Sequence, residues 1–248
     1  MNGGEENKTN TTSGLCPGVY LLPVTLSDTE PQAVLPEYNL RVIRGLRHFV
    51  VENVRTARRF LKRVDRSIDI DSLELVELSE HTPLTAIDSM LDPVREGYAI
   101  GVMSEAGCPA VADPGALLVA AAQRHSIKVF PLVGPSSILL SLMGSGMNGQ
   151  AFTFHGYLPI EDKKRIAALK ELANYVKRTG ATQIFIETPY RNNQLLSAIL
   201  SSVPADVKLC VASDITGQNE TIVTRTVGEW KKASVTLDKL PTIFLLGN

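Results

Sequence analysis

The chain has 248 residues, 25 Lys and Arg against 26 Asp and Glu, and 44% hydrophobic residues. It is long enough for one large or two small packed units, and a net charge of −1 excludes a strong non-specific pull toward nucleic acid while leaving room for a local basic patch. Cys16, Cys108 and Cys210 are odd in number and widely spaced, which argues against a disulfide framework or a cysteine zinc site and fits a reducing cytoplasm.

Residues 1–13 are polar and lack the apolar core of a signal peptide, and no later run approaches the length of a membrane span. Residues 1–15 are therefore expected as a disordered tail, with no membrane partner. The apolar run 19–26 reads as a first strand and 36–44 as a helix, with Leu40 and Ile43 at helical spacing. A second strand spans 48–52. After it Arg55, Arg58, Arg59, Lys62 and Arg63 interleave with Ala57, Phe60 and Leu61, which gives a helix one buried and one basic face; we read the basic face as solvated in preference to a polyanion contact. Residues 73–78 form a third strand, and Thr82-Pro83 open a helix that ends near Gly97. The fourth strand, 98–103, stops at a loop of small residues. Asp113 and Pro114 then start the amphipathic segment 115–124, the acid as N-cap and the proline in the first turn. Residues 127–133 make a fifth strand, and Gly134, Pro135, Ser136 and Ser137 lead into a helix over 138–143.

From there the rhythm restarts. Strands are expected at 152–157, 183–187, 208–212, 221–227 and 242–246, with helices at 162–178, closed by Gly180, at 192–201 and from Gly228 to Lys232. A return near Gly217 makes the second sheet mixed. The fold class is thus α/β with two α/β domains, 16–134 with a mostly parallel sheet and 135–248 with a mixed one, and a small-molecule site is expected in a cleft between them.

Within this frame the segment from Gly101 to Gly115 is read as a binding loop. It lies at the carboxyl end of a strand, and Ser104, Ala106 and Gly107 let backbone approach a ligand. Gly144-Ser145-Gly146-Met147-Asn148-Gly149 satisfies a G-x-G-x-x-G pattern, but it follows a helix and precedes a strand, so it reads as a helix C-cap and turn. The four histidines show no metal-ligand spacing, so no metal is expected, and neither a nucleophile elbow nor a P-loop is present.

Six ordered motifs resemble the tetrapyrrole methylase family. They are Ser104-Glu105-Ala106-Gly107-Cys108-Pro109, Ala112-Asp113-Pro114-Gly115, Pro131-Leu132-Val133-Gly134-Pro135-Ser136, Phe154-His155-Gly156-Tyr157-Leu158-Pro159, Ile186-Glu187-Thr188-Pro189-Tyr190-Arg191 and Glu220-Thr221. Their spacing is most similar to the branch that 2′-O-methylates a cytidine ribose in small-subunit ribosomal RNA. The resemblance implies S-adenosylmethionine, a homodimer, and ribosomal RNA or the small-subunit particle as a partner. It places Ser104, Glu105, Ala106, Gly107, Asp113, Pro135, Ser136, Ser137, Ile186, Glu187, Thr216 and Thr221 at the cofactor. It matches Glu52 and Arg55 to a segment facing the methyl acceptor, so that Glu52, Arg55 and Glu105 are the candidates for catalysis. On the residues alone, Asp113 reads as a helix cap and Glu187 as a cap of the 188–190 turn.

Departures from the family bear on RNA more than on the cofactor. Thr25-Leu26-Ser27 replaces a Gly-Asn-Leu turn, Ser213-Asp214-Ile215-Thr216-Gly217 lacks the two basic residues of its counterpart, and Glu105 stands for an Asp. Beside methylation of ribosomal RNA stand methylation of a tetrapyrrole or other small molecule, and cofactor binding without turnover.

Overall fold

The structure, a computed structural model, describes residues 14–233, 235–237 and 239–248. It divides into a first unit, Met1–Thr25 with Glu30–Pro135, and a second, Leu26–Thr29 with Ser136–Asn248. The short excursion Leu26–Thr29 into the second unit was not legible in the sequence. Most of the expected tail lies outside the described residues, but Leu15 packs half-buried against the first unit's core.

In the first unit the strands β1 (Gly18–Leu21), β2 (His48–Val51), β3 (Glu74–Glu77), β4 (Ala99–Met103) and β5 (Val129–Pro131) form one sheet in the order β3-β2-β4-β1-β5. Every pairing is parallel. Successive side chains of a strand point to opposite faces. Tyr20, Phe49, Val51 and Met103 therefore enter one core, with α2 (Glu37–Gly45) and α3 (Val54–Val64) over them. Val19, Val50, Ile100 and Val102 enter the other. That face is covered by α4 (Leu84–Ser89), α5 (Asp92–Arg95) and α6 (Gly115–Arg124). A four-residue turn of helix, α1 (Pro31–Val34), is opened by Pro31 and was not anticipated.

The single helix expected up to Gly97 is broken into α4 and α5. Pro93 sits in the first turn of α5, where it has no amide proton to give the preceding turn, so the chain restarts there. Thr82 does not cap α4; its hydroxyl accepts the Ser79 amide at 2.9 Å, and Pro83 holds the N-cap position without a side-chain bond. β5 is shorter than expected because Pro131 ends it, on an edge strand where a missing donor does no harm.

The second unit carries α7 (Ser137–Ser145), β6 (Phe152–Tyr157), α8 (Asp162–Thr179), β7 (Thr182–Ile186), α9 (Asn192–Ser202), β8 (Lys208–Ser213), β9 (Thr221–Thr226), α10 (Val227–Lys232) and β10 (Thr242–Gly247). Its sheet runs β6-β7-β10-β8-β9, parallel between β6 and β7 and antiparallel elsewhere. Phe185, Leu209, Val211, Phe244 and Leu246 face α8, α9 and α10, while Ile184, Cys210, Ala212, Ile243 and Leu245 face α7. Gly146, at φ 68°, ends α7, and Gly180, at φ 69°, ends α8. The G-x-G-x-x-G segment is thus a helix C-cap.

Gly101 sits on β4 where a Cβ would lie 2.6 Å from Leu22 Cδ1 and 2.9 Å from Leu46 Cδ1. Gly101→Ala is therefore expected to cost about 1–3 kcal/mol by overpacking. Gly149→Ala, whose Cβ meets nothing within 4 Å, should stay within about 0.5 kcal/mol of the parent. Urea denaturation of both variants checks the contrast.

Candidate functional site

The strand order fixes where the first unit can bind a ligand. From β1 the chain crosses past β4 to β2 on one face, whereas from β4 it crosses past β1 to β5 on the other. The loops leaving these neighbouring strands part to opposite faces, and the carboxyl ends of such a pair form the switch point at which open parallel sheets hold ligands. The loop from Ser104 to Pro114 leaves β4 at that point.

Its conformation is tightly held. Gly107, buried at φ 72°, forms an isolated bridge with Val24, whose amide donates to the Gly107 carbonyl at 2.9 Å. Ser104 Oγ donates to the Ala106 carbonyl at 3.2 Å, and Glu105 and Ala106 are exposed. Ala110 and Ala112 stand at φ 67° and 61°, a left-handed conformation that residues with a Cβ adopt at a cost. Asp113 Oδ1 accepts the amides of Ala110 at 3.0 Å and Gly115 at 2.7 Å, which holds this turn against the start of α6, while Pro114 and not Asp113 stands at the N-cap position. Its Oδ2 is buried without a partner. Cys108 Sγ donates to the Pro135 carbonyl at 3.4 Å, and burial pushes its thiol pKa up.

Two of the catalytic candidates behave differently. Arg55 is exposed on the first turn of α3, its backbone amide capped by Asn53 Oδ1 at 3.0 Å. Glu52, just past β2, reaches across the strand ends, and its Oε2 accepts the Glu105 amide at 3.0 Å. Desolvation raises its carboxyl pKa, and the charges of Glu105, Asp113 and Glu80 add to the rise.

In the second unit the register brings several candidates to one end of the sheet. Ile186 closes β7 opposite Ile243, while Thr242 lies opposite Ser213, which in turn lies opposite Thr221. Thr221 is exposed and Ile186 half-buried. Glu187 is buried, and its Oε1 accepts the Thr188 amide and Arg191, each at 2.7 Å, so that it ties down the 188–191 turn. Ser136 precedes α7 and Ser137 begins it, with no side-chain cap bond from Ser136.

The loop after β8 is strained in the same manner as the one after β4. Asp214 and Thr216 stand at φ 50° and 68°. The Asp214 amide donates to Pro241 O, its carboxylate accepts the Asn219 amide at 2.9 Å, and Glu220 accepts the Thr216 amide at 2.6 Å. Ser27 Oγ and Thr29 Oγ1 donate to the carbonyls of Ile215 and Thr216 at 3.1 and 2.5 Å. The Thr216 hydroxyl oxygen is buried without a partner. Asp214 also fills the space beside Gly217, where a Cβ would come within 2.1 Å of its Oδ1.

No model of a known protein family matches the chain. Curated relatives do. A protein of Micromonospora olivasterospora named ribosomal RNA small subunit methyltransferase I is 34% identical over 203 residues, 82% of this chain and 60% of the relative. The protein of that name from Buchnera aphidicola subsp. Schizaphis graminum is 30% identical over 216 residues, 82% of this chain and 67% of the relative. This chain belongs to the tetrapyrrole methylase family. Solved structures agree on the fold. The methyltransferase CobJ aligns with a TM-score of 0.58 at 16% identity, over 88% of this chain and 89% of its own. Thermus thermophilus uroporphyrin-III C-methyl transferase, complexed with S-adenyl homocysteine, aligns at 0.56 and 17%, over 93% and 97%. Against the curated relatives, this tetrapyrrole methylase family member spans 49–67% of their length.

Among the described residues no group of three or more His, Cys, Asp or Glu is placed to hold a metal. None of the described helices is long and apolar enough to cross a membrane. Sequence reasoning missed the bond from Glu52 to Glu105, the Val24 bridge, and the hold of Ser27 and Thr29 on the loop after β8. These are long-range contacts with no local signature.

Gly107 is a backbone requirement: at φ 72° a side chain costs about 1–2 kcal/mol. Gly107→Ala should lower stability by that amount in denaturant titrations. Glu52 carries a pH signature. Its raised pKa contributes stability present below the unfolded value and lost as pH rises through the folded one. The Tm of Glu52→Gln relative to the parent should therefore increase from pH 4 toward pH 7 by calorimetry.

Proposed function

We propose that this protein is an S-adenosylmethionine-dependent methyltransferase that transfers a methyl group to a ribose hydroxyl of small-subunit ribosomal RNA. The observation that carries the reading is the strained loop from Ser104 to Pro114 at the switch point of the first sheet, in a chain 34% identical to ribosomal RNA small subunit methyltransferase I over 82% of its length. The residues fit the cofactor. In the first unit Ser104, Ala106 and Gly107 make a turn of small residues around Glu105 at the strand end; in the second unit, taken by itself, the buried Thr216 hydroxyl is a hydrogen-bonding group with unused capacity. Asp113 and Pro135 support the loop through the bonds described above. Glu187, Ser136, Ser137, Ile186 and Thr221 carry their assignment through the family resemblance. The same resemblance supports a homodimer working in the cytoplasm.

The bound cofactor supplies a methyl on a sulfonium, already activated for in-line displacement. What the chain must provide is orientation of the acceptor oxygen and exclusion of water, effects that account for much of the rate of such a transfer. Rigid strained loops are suited to that role, since no side-chain nucleophile is needed.

RNA is gripped mainly through Lys and Arg on phosphates. Arg165 is withdrawn from that role, buried and paired with Asp162, and Lys62 Nζ donates to the Arg66 and Ile68 carbonyls. Lys164 is paired with Glu161, whereas Arg55, Arg58, Arg59 and Lys163 are exposed. The cations lost to internal pairing on these two helices, with the net charge of −1, support weak binding to naked RNA and a need for contacts supplied by the assembled particle.

Incubation with labelled S-adenosylmethionine and small ribosomal subunits lacking the modification should label the ribosomal RNA, while a short isolated RNA should bind weakly in a salt series. Labelling of a tetrapyrrole but not of subunits would move the activity to the small-molecule reading. Calorimetric binding of S-adenosylhomocysteine with no transfer to either would leave a cofactor-binding protein.

A further inference from the structure

We propose that Glu52 is a positioning residue, which acts on the bound cofactor through the Glu105 amide and the turn that amide belongs to, without touching the reacting atoms. The inference rests on the cofactor reading of that turn. Its basis is geometric. Glu52 follows β2 and its own amide donates to the Met103 carbonyl at 3.1 Å, so its backbone is fixed to the last residue of β4. Its side chain then reaches forward, past Ser104, and accepts the amide of Glu105 at 3.0 Å. Two bonds to residues two apart on β4 and its loop form a clamp that sets how the chain leaves the strand. Without the second, the side-chain bond that remains at Glu105 and Ala106 among the described residues is the internal one from Ser104 Oγ to the Ala106 carbonyl.

Charge pairing does not explain the placement. Glu105, Asp113 and Glu80 are the ionisable groups acting on Glu52, all acidic, and among the described residues no ion pair joins it to Arg55. Nor does a binding pocket of its own: the cavity lined by Glu52, Asp113, Leu78 and Met103 measures about 10 Å³, too small for any substrate group. A half-buried acid in acidic surroundings, with its carboxylate on one backbone amide, has the geometry of a conformational support. Asp113 plays the same part on the far side of the loop, where it holds the amides of Ala110 and Gly115.

The proposal separates Glu52 from a general base by what glutamine does. A Gln side chain keeps a carbonyl oxygen at the same reach, so Glu52→Gln should preserve the clamp. Glu52→Ala removes it, and Glu52→Asp retains the charge one methylene too short. Hydrogen exchange on the unliganded protein should show the Glu105 amide exchanging about tenfold faster in the Ala and Asp variants, and at the parent rate in the Gln variant. Calorimetry with S-adenosylhomocysteine should show affinity lowered about tenfold in Ala and Asp, as when the competent loop population falls to about a tenth, and restored to within about threefold by Gln. Unchanged Glu105 exchange in both the Ala and Asp variants would overturn the inference, as would a Gln variant with parental affinity but the same loss of turnover as Ala, which marks a base. Failure of the parent protein to bind S-adenosylhomocysteine at all would instead overturn the cofactor reading, and the exchange measurement would still decide whether the clamp exists.

Discussion

Both faces of β4 are buried, and much of the first unit follows from that requirement. A parallel strand with water on neither side needs helices on both faces, so the crossovers leaving β1 and β4 are divided between the two sides. The crossovers part to opposite faces, while the loops just beyond the two carboxyl ends stay tied by the bridge between Val24 and Gly107. Gly101 belongs to the same constraint: at mid-strand, Leu22, Leu46 and Phe49 already fill the space a side chain would take. The place of the loop after β4 is therefore a consequence of how the sheet is covered.

Strain gathers where function is proposed. Among the described non-glycine residues with positive φ, Ala110 and Ala112 lie in the loop after β4 and Asp214 and Thr216 in the loop after β8, while Ser126 merely follows α6. Such conformations persist when surrounding bonds over-determine them. Asp113 does this for the first loop; Pro241, Asn219, Glu220, Ser27 and Thr29 do it for the second. Each loop is thus pre-shaped, which suits a methyl transfer in which orientation of the reactants matters more than side-chain chemistry.

The second loop also shows how substitutions can be mutually adjusted. By the resemblance, Gly217 stands where a basic residue is expected, and the Asp214 carboxylate lies where a Cβ at 217 would stand. A glycine at 217 is accommodated by the loop's own packing, so the shape of the loop is kept while a cation is given up. That separation underlies the proposal that the assembled particle supplies part of the grip on RNA.

The amino-acid sequence by itself determined the alternation of strands and helices, the parallel and mixed sheets, and the caps at Gly146 and Gly180. Each of these is written in residues within a few positions of one another, through side-chain periodicity, missing protons and tolerance of positive φ. It also carried the family, because six motifs in order are a linear signal. Only the tertiary structure decided that Leu26–Thr29 belongs with the second unit, that Arg165 is buried against Asp162, and that Glu52 holds the Glu105 amide 53 positions away. The break between α4 and α5 at Pro93 is a local signal that the helical reading passed over, whereas the burial of Arg165 depends on what packs over its helix, and the Glu52 bond and the placement of Leu26–Thr29 on which segments the fold brings side by side. Local propensity does not encode that adjacency; it follows from the burial of both sheet faces by the whole chain.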